Sequence, residues 1–343
     1  MLKPLETARL ILRTFTPQDF DDVHSYASVP ENSIYMEWGP NTDEQTRAFI
    51  QTSISQAVEN PCTNHQYAAV RKDTGRLIGA CNLLITGDKA EIGWILHRDF
   101  WKQGYGPEMG RAMLELGFDD LHLRRIIARC DAENYGSFRV MEKIGMRREG
   151  LLWEARLANK LSGKKYGDEL TYAILKEEWD IQKEIAYYNA LPLNFDGFAD
   201  LPELNGGEIY LVCTAKKPAI PEKKYVPAYE FAVCRGTEKI GEINLRIGYT
   251  DGLYYGGQIG YGIDEKHRGN GYAVAACRLL MPVMKAHGMK KVLITNNQTN
   301  TASRRVCEKL GARLLRVARL PEWHDLYKEG YRFENIFEWS FED

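Results

Sequence analysis

Short apolar runs alternating with polar residues predict strands at about 9–13, 66–70, 77–84, 90–96 and 125–130, with helical periods between them. Strands and helices interleaved in this way make an α/β chain, in the broad sense that includes α+β, with a mixed sheet. Thr42-Asp43-Glu44-Gln45 has the form of a capping box, in which Thr and Gln satisfy orphan amides, and opens a helix expected to run to about Val58. Asn60-Pro61 stops it. Residues 166–175 read as a late strand. From Glu184 to Ala215 there is no Lys or Arg, and Pro192, Gly197, Pro202, Gly206 and Gly207 break any period. That stretch predicts a domain at 1–182, a linker at 183–205 and a second domain at 206–343, and the linker's aromatic residues predict that it packs rather than floats.

The two halves repeat each other. Glu91-Ile92-Gly93-Trp94-Ile95-Leu96 aligns with Gln258-Ile259-Gly260-Tyr261-Gly262-Ile263. Eleven residues after each central glycine comes another, Gly104 or Gly271, inside a glycine-rich turn. Further on stand Asn134 and Ser137 in one half and Asn300 and Ser303 in the other, then Glu-Lys and a glycine at 145 or 311. Two copies of one fold are expected.

The chain of 343 residues is long enough for two cores. A formal charge of −2 and the lack of a basic stripe argue against nucleic acid as the main partner. No apolar run approaches the roughly 20 residues of a membrane span, and Met1-Leu2-Lys3-Pro4 opens no signal core, so a cytoplasmic protein is expected. Seven cysteines without a CxxC pair read as buried small hydrophobes, and seven histidines without HxxxH or HxH spacing predict no metal.

A glycine-rich turn between strand and helix lets backbone amides crowd around a phosphate, because no side chain blocks approach and the helix end carries partial positive charge. Lys102-Gln103-Gly104-Tyr105-Gly106 is one such turn and Arg268-Gly269-Asn270-Gly271-Tyr272-Ala273 the other. With these residues the chain resembles the GNAT superfamily of acyl-CoA-dependent N-acetyltransferases, whose signature is Arg/Gln-x-x-Gly-x-Gly/Ala. The second turn fits at every fixed position, while Trp101 takes the Arg/Gln position in the first. The first half is similar to the branch of ribosomal-protein N-terminal acetyltransferases, and the second to a little-characterised bacterial group.

The resemblance implies tandem folds, each a mixed, largely antiparallel sheet with helices at its flanks and a splayed strand pair that takes the pantetheine arm of acetyl-CoA. Ile95, Leu96, residues 102–106 and Asn134 would bind it in the first half, and Ile263, residues 268–273, Asn300 and Ser303 in the second. Glu91 is the candidate general base, and Ser137 or a water would assist the leaving thiolate. Gln258, the counterpart of Glu91, cannot take a proton, which favours the first half as catalytic. The tyrosine that many relatives use as general acid is replaced by Met141 and Cys307.

Pro107 is expected at the first helical position, removing one phosphate donor, and Pro282 is expected to kink a helix. The implied reaction is acetyl transfer to a primary amine, either a small molecule or a protein N-terminus. A non-catalytic second half and aminoacyl transfer are the alternatives. A pseudo-dimer within one chain and a homodimer both stay open.

Overall fold

The computed structural model describes residues 2–341. The chain divides into two compact units, 1–182 and 183–343.

In the first unit eight strands form one sheet: β1 (Leu5–Glu6), β2 (Leu10–Arg13), β3 (Asn64–Arg71), β4 (Leu77–Thr86), β5 (Lys89–Leu96), β6 (Arg125–Asp131), β7 (Arg147–Leu157) and β8 (Tyr166–Leu175). Their order is β1-β2-β3-β4-β5-β6-β8-β7, and β5 with β6 is the parallel pair in an antiparallel sheet. Alternation along a strand splits the core in two. On β3, Tyr67 and Ala69 join one apolar cluster while Ala68 and Val70 join another. Helices α1 (Phe20–Ala27), α2 (Pro30–Ser33) and α3 (Asp43–Gln56) lie in sequence before β3, and α1 and α3 cover the second cluster with Val23, Tyr26 and Ile50. Helices α4 (Tyr105–Glu115) and α5 (Tyr135–Lys143) cover the first with Met109, Met113 and Met141.

The capping box forms. The Thr42 N–H donates to Gln45 Oε1 at 2.9 Å, and the Gln45 N–H donates to Thr42 Oγ1 at 3.3 Å. Helix α6 (Lys176–Asn189) runs through the unit boundary, so the span expected to link the domains begins inside a helix. After it, Leu193, Phe195, Phe198 and Leu201 pack on the second unit's core. His287 accounts for the attachment: its N–H-bearing ring reaches the Asn194 carbonyl through Nδ1 at 3.0 Å and the Tyr229 hydroxyl through Nε2 at 2.8 Å.

The second unit has two sheets. The first runs in the order β13 (Ile259–Ile263), β12 (Glu238–Arg246), β11 (Ala228–Arg235), β10 (Tyr210–Lys217), β9 (Leu204–Asn205). The other runs β14 (Lys291–Asn297), β16 (Phe333–Ser340), β15 (Arg313–Arg319). Helices α7 (Asp251–Gly256), α8 (Tyr272–Leu279), α9 (Met281–Ala286), α10 (Thr301–Leu310) and α11 (Asp325–Lys328) complete it. One apolar cluster spans both sheets, with Phe231 and Leu245 from one and Val292 and Trp339 from the other.

Both prolines differ from expectation. Pro107 stands third in α4, behind Tyr105 and Gly106, so the first two amides of the helix keep their N–H groups. Pro282 does not kink a continuous helix: α8 ends at Leu279 and α9 starts at Met281, with Pro282 in its first turn, where the missing N–H costs nothing.

Candidate active site

The first unit opens where two strands part. The parallel ladder between β5 and β6 covers Lys89–Glu91 opposite Arg125–Ile127 and then stops. From Ile92 onward β5 pairs with β4 alone, so its other edge presents backbone amides and carbonyls with no strand partner. A cavity of about 1450 Å³ lies there. Ile95, Leu96, Lys102, Gly104, Gly106, Asn134 and Ser137 all line it, together with Glu91.

Gly104 caps α4 with φ +85°, and Gly271 caps α8 with φ +82°, a left-handed backbone that glycine adopts without strain. Trp101 and Arg268 hold the two turns in the same way. The indole Nε1–H of Trp101 donates to the Leu96 carbonyl at 2.7 Å, and the Arg268 Nε–H donates to the Ile263 carbonyl at 2.9 Å. A single N–H aimed at the strand-end carbonyl is what that position requires, and both side chains supply it. Gln103 is turned aside, its amide donating to the Asp99 carbonyl at 2.7 Å, and it is not part of the cavity wall. The rings of Tyr105 and Tyr272 are buried, so these residues offer the turns their backbone. Asn270 closes its own turn through the His267 carbonyl at 3.1 Å, with Gly269 and Ala273 beside it.

Asn134 and Asn300 are helix N-caps, each accepting the N–H of the serine three residues on at 3.0 Å. Ser137 reaches the thiol of Cys130, which burial pushes up to about 11 despite that hydrogen bond. Burial likewise pushes the Cys307 thiol up to about 12, so neither sulfur is poised as a nucleophile.

Glu91 is not alone. Arg129 on β6 holds both its oxygens, Nε to Oε1 at 3.1 Å and Nη2 to Oε2 at 2.6 Å, and Glu169 on β8 lies 3.7 Å from the same guanidinium. The second unit erases this chain of charges. Strand register puts Thr295 where Arg129 stands and Glu334 where Glu169 stands, since Asn297 pairs with Glu334 as Asp131 pairs with Glu169. Gln258 replaces Glu91 and is fully buried. Its Oε1 accepts the Leu293 N–H at 2.6 Å and its amide donates to the Gly248 carbonyl at 3.0 Å. Beside the backbone bond from the Gln258 N–H to the Leu293 carbonyl at 2.8 Å, the side chain thus ties the start of β13 to β14 and to the segment after β12. Glu334 is left without a hydrogen bond or ion pair among the described residues, and burial pushes it up to about 7.

The absence of a helix tyrosine holds for Met141 and Cys307, both buried, yet the second unit regains a phenol from elsewhere. Tyr261, at the position of Trp94, reaches from β13 to Ser303 Oγ at 2.9 Å, and burial raises its phenol. Arg129, Glu169, Asn159 and Tyr261 carry no local motif in the sequence, because the groups they meet lie far along the chain. Among the described residues no cluster of His, Cys, Asp and Glu could hold a metal ion, and no helix is long and apolar enough to cross a membrane.

A family model described as an acetyltransferase (GNAT) domain matches residues 9–147 and again 213–313. YnaD, an uncharacterized N-acetyltransferase of Bacillus subtilis (strain 168), is 35% identical over 178 residues, which is 51% of this chain and 99% of its own length. YoaA, a second uncharacterized N-acetyltransferase of that organism, is 32% identical over 180 residues, 51% of this chain and 98% of its own. The crystal structure of a GNAT-family acetyltransferase from Bacillus anthracis covers 51% of this chain and 99% of its own, at 34% identity and a TM-score of 0.45. About half of this chain thus spans YnaD and YoaA, which agrees with the two segments that the family model matches.

Proposed function

Since the chain belongs to the GNAT acetyltransferase family, with the domain present twice, we propose that its first unit transfers the acetyl group of acetyl-CoA to a primary amine by direct attack. The observation that supports this most is the parting of β5 from β6 after Glu91, with a large cavity between the free β5 edge, the Gly104 turn and the α5 N-terminus. The unpaired edge suits the amides of a pantetheine arm, and the first-turn amides of Tyr105 and Gly106 suit its diphosphate. Acetyl-CoA supplies the activated acyl carbon. Residues 1–182 would be the catalytic domain and 206–343 the second, with 183–205 between them.

Arg129 uses two of the roughly four lone-pair sites on the Glu91 carboxylate, leaving others to hold a water. Glu91 then takes the amine's proton through that water as nitrogen bonds to the acyl carbon. The carbon–sulfur bond breaks, and Ser137, or a water at its hydroxyl, gives the sulfur its proton. A β5 backbone N–H steadies the thioester oxygen. In the second unit, Gln258 used as a buried clamp favours a non-catalytic acyl-CoA-binding or structural role. The donor in this reading is an acyl-CoA and not an aminoacyl-tRNA, and the protein works in the cytoplasm.

The test is release of free CoA thiol by the full chain with acetyl-CoA and a panel of amines, amino acids and N-terminal peptides. Glu91→Gln should lower turnover by about 100-fold or more, the usual worth of a general base. No thiol release with any amine would sink the proposal. Calorimetric titration of CoA distinguishes one site per chain from two.

A further inference from the structure

Resting on amine acetylation in the first unit, we propose that the acceptor is a free α-amino acid whose carboxylate is taken by Arg156. The acceptor's carboxylate is the feature that a peptide N-terminus lacks next to its amine.

Arg156 stands on β7 just past an irregularity. The β7–β8 register shifts between Leu152 and Arg156, and Glu154 within it has φ +49°, its N–H donating to Asp168 Oδ1 at 2.9 Å. A bulge of this kind re-aims the side chain that follows it. Arg156 pairs in register with Gly167, and its Cγ lies 3.6 Å from where a Cβ of Gly167 would be. That Cβ would also stand 2.9 Å from Asp131 Oδ2, so with glycine there the Asp131 carboxylate and the Arg156 stem lie over this position without a shift.

The guanidinium so delivered is paired only loosely, with Glu37. Its side chain is 10% exposed, its Nε is buried without a hydrogen bond, and no hydrogen bond to any of its nitrogens occurs among the described residues. The nearest carboxylate, Glu37 Oε1, is 3.9 Å from Nε and belongs to a side chain 54% exposed. Arg129, in the same cavity, is by contrast held by Glu91 through two hydrogen bonds. A buried Nε–H left unsatisfied is costly, and the natural complement of the guanidinium fork is a planar anion with two oxygens.

Arg156 lines the cavity with Ser137 and Glu91, and its charge is felt at the Cys130 thiol. The anion it binds is therefore close to the reacting centre. Two further polar atoms in the wall lack partners: Asn32 Oδ1, which can only accept, and the Tyr26 hydroxyl. An acceptor oxygen complements an amine, as the guanidinium complements a carboxylate. Trp38, Phe49 and Trp94 supply apolar wall for a side chain.

The experiment uses the full chain with saturating acetyl-CoA and matched acceptors: L-alanine, L-methionine and L-phenylalanine, each against its amide. The ratio of kcat/KM for acid over amide is read in the wild type, in Arg156→Gln and in Arg156→Lys. Arg156→Gln should lower that ratio by about 10- to 100-fold, mainly through KM, the worth of a charge-assisted pair, and Arg156→Lys should recover part of it. Calorimetry of L-methionine with CoA-loaded protein should show binding that Arg156→Gln weakens by a similar factor.

An acid-to-amide ratio unchanged by Arg156→Gln, with both acceptors acetylated, overturns the inference and leaves amine acetylation standing. Arg156-dependent preference for succinyl-CoA over acetyl-CoA, without an acceptor preference, moves the anion to the acyl chain and overturns it too. No acetylation of any amine removes the parent reading and this one with it.

Discussion

Replacing Glu334 by Gln should stabilise the second unit at neutral and alkaline pH and leave it unchanged in acid. Glu334 is 3% exposed on β16, between Asn297 of β14 and Ala318 of β15, and has no hydrogen-bond or ion-pair partner among the described residues. Glu338, four residues on along the same strand, shows the alternative: burial would lift it, but Tyr188, Lys291 and Arg313 hold it below the usual carboxylate range. In the unfolded chain Glu334 titrates near 4.5, and in the folded chain at about 7. Between those values the folded state binds more protons than the unfolded one. Stability therefore falls as pH rises from 4.5 to 7 and is flat above.

At about 1.36 kcal/mol per pH unit the ceiling is about 3 kcal/mol, and solvent reaching the strand end reduces it to roughly 1–3 kcal/mol. Glutamine keeps the shape and never ionises. The suitable assay is amide hydrogen exchange read on peptides covering β14 and β16, expressed as protection relative to intrinsic rates, since two units need not unfold together. Wild-type protection should drop between pH 5 and 8, and the variant's should not. Parallel pH dependence in the two proteins would refute the reasoning.

Two other perturbations follow from contacts that no local motif announces. Asn159 is 4% exposed, and its amide donates to the carbonyls of Ser33, Met36 and Trp38 at 2.9–3.1 Å, so Asn159→Ala should cost about 1–3 kcal/mol. Faster exchange at 33–41 and a raised acceptor KM with unchanged CoA affinity would be the signature, and unaltered exchange would contradict it. Gln258→Ala removes the side-chain bonds to the Leu293 N–H on β14 and to the Gly248 carbonyl after β12 and should cost about 1–3 kcal/mol, seen as lost protection at Leu293. Retained protection there would show that the backbone alone joins the two strands.

Some features of this protein are legible in the residues because their partners lie within a few positions. The Thr42–Gln45 box, the Asn134–Ser137 and Asn300–Ser303 caps and the left-handed Gly104 and Gly271 turns are of this kind. Repetition of the turn and then the cap in each half is what predicts two copies of one fold, and the residues of the turns carry the resemblance to the family.

Tertiary structure decided the rest. Arg129 and Glu91 are 38 residues apart, and Asn159 and Ser33 are 126 apart, joined by strand pairing and loop packing that no spacing rule encodes. The bulge that turns Arg156 inward, and the burial that leaves Glu334 unpaired while Gln258 becomes a clamp, depend on register and on what is missing nearby. Local sequence determines backbone shape through short-range hydrogen bonds and sterics. The charge environment of a side chain comes from groups far along the chain, and these meet only when the sheet has formed.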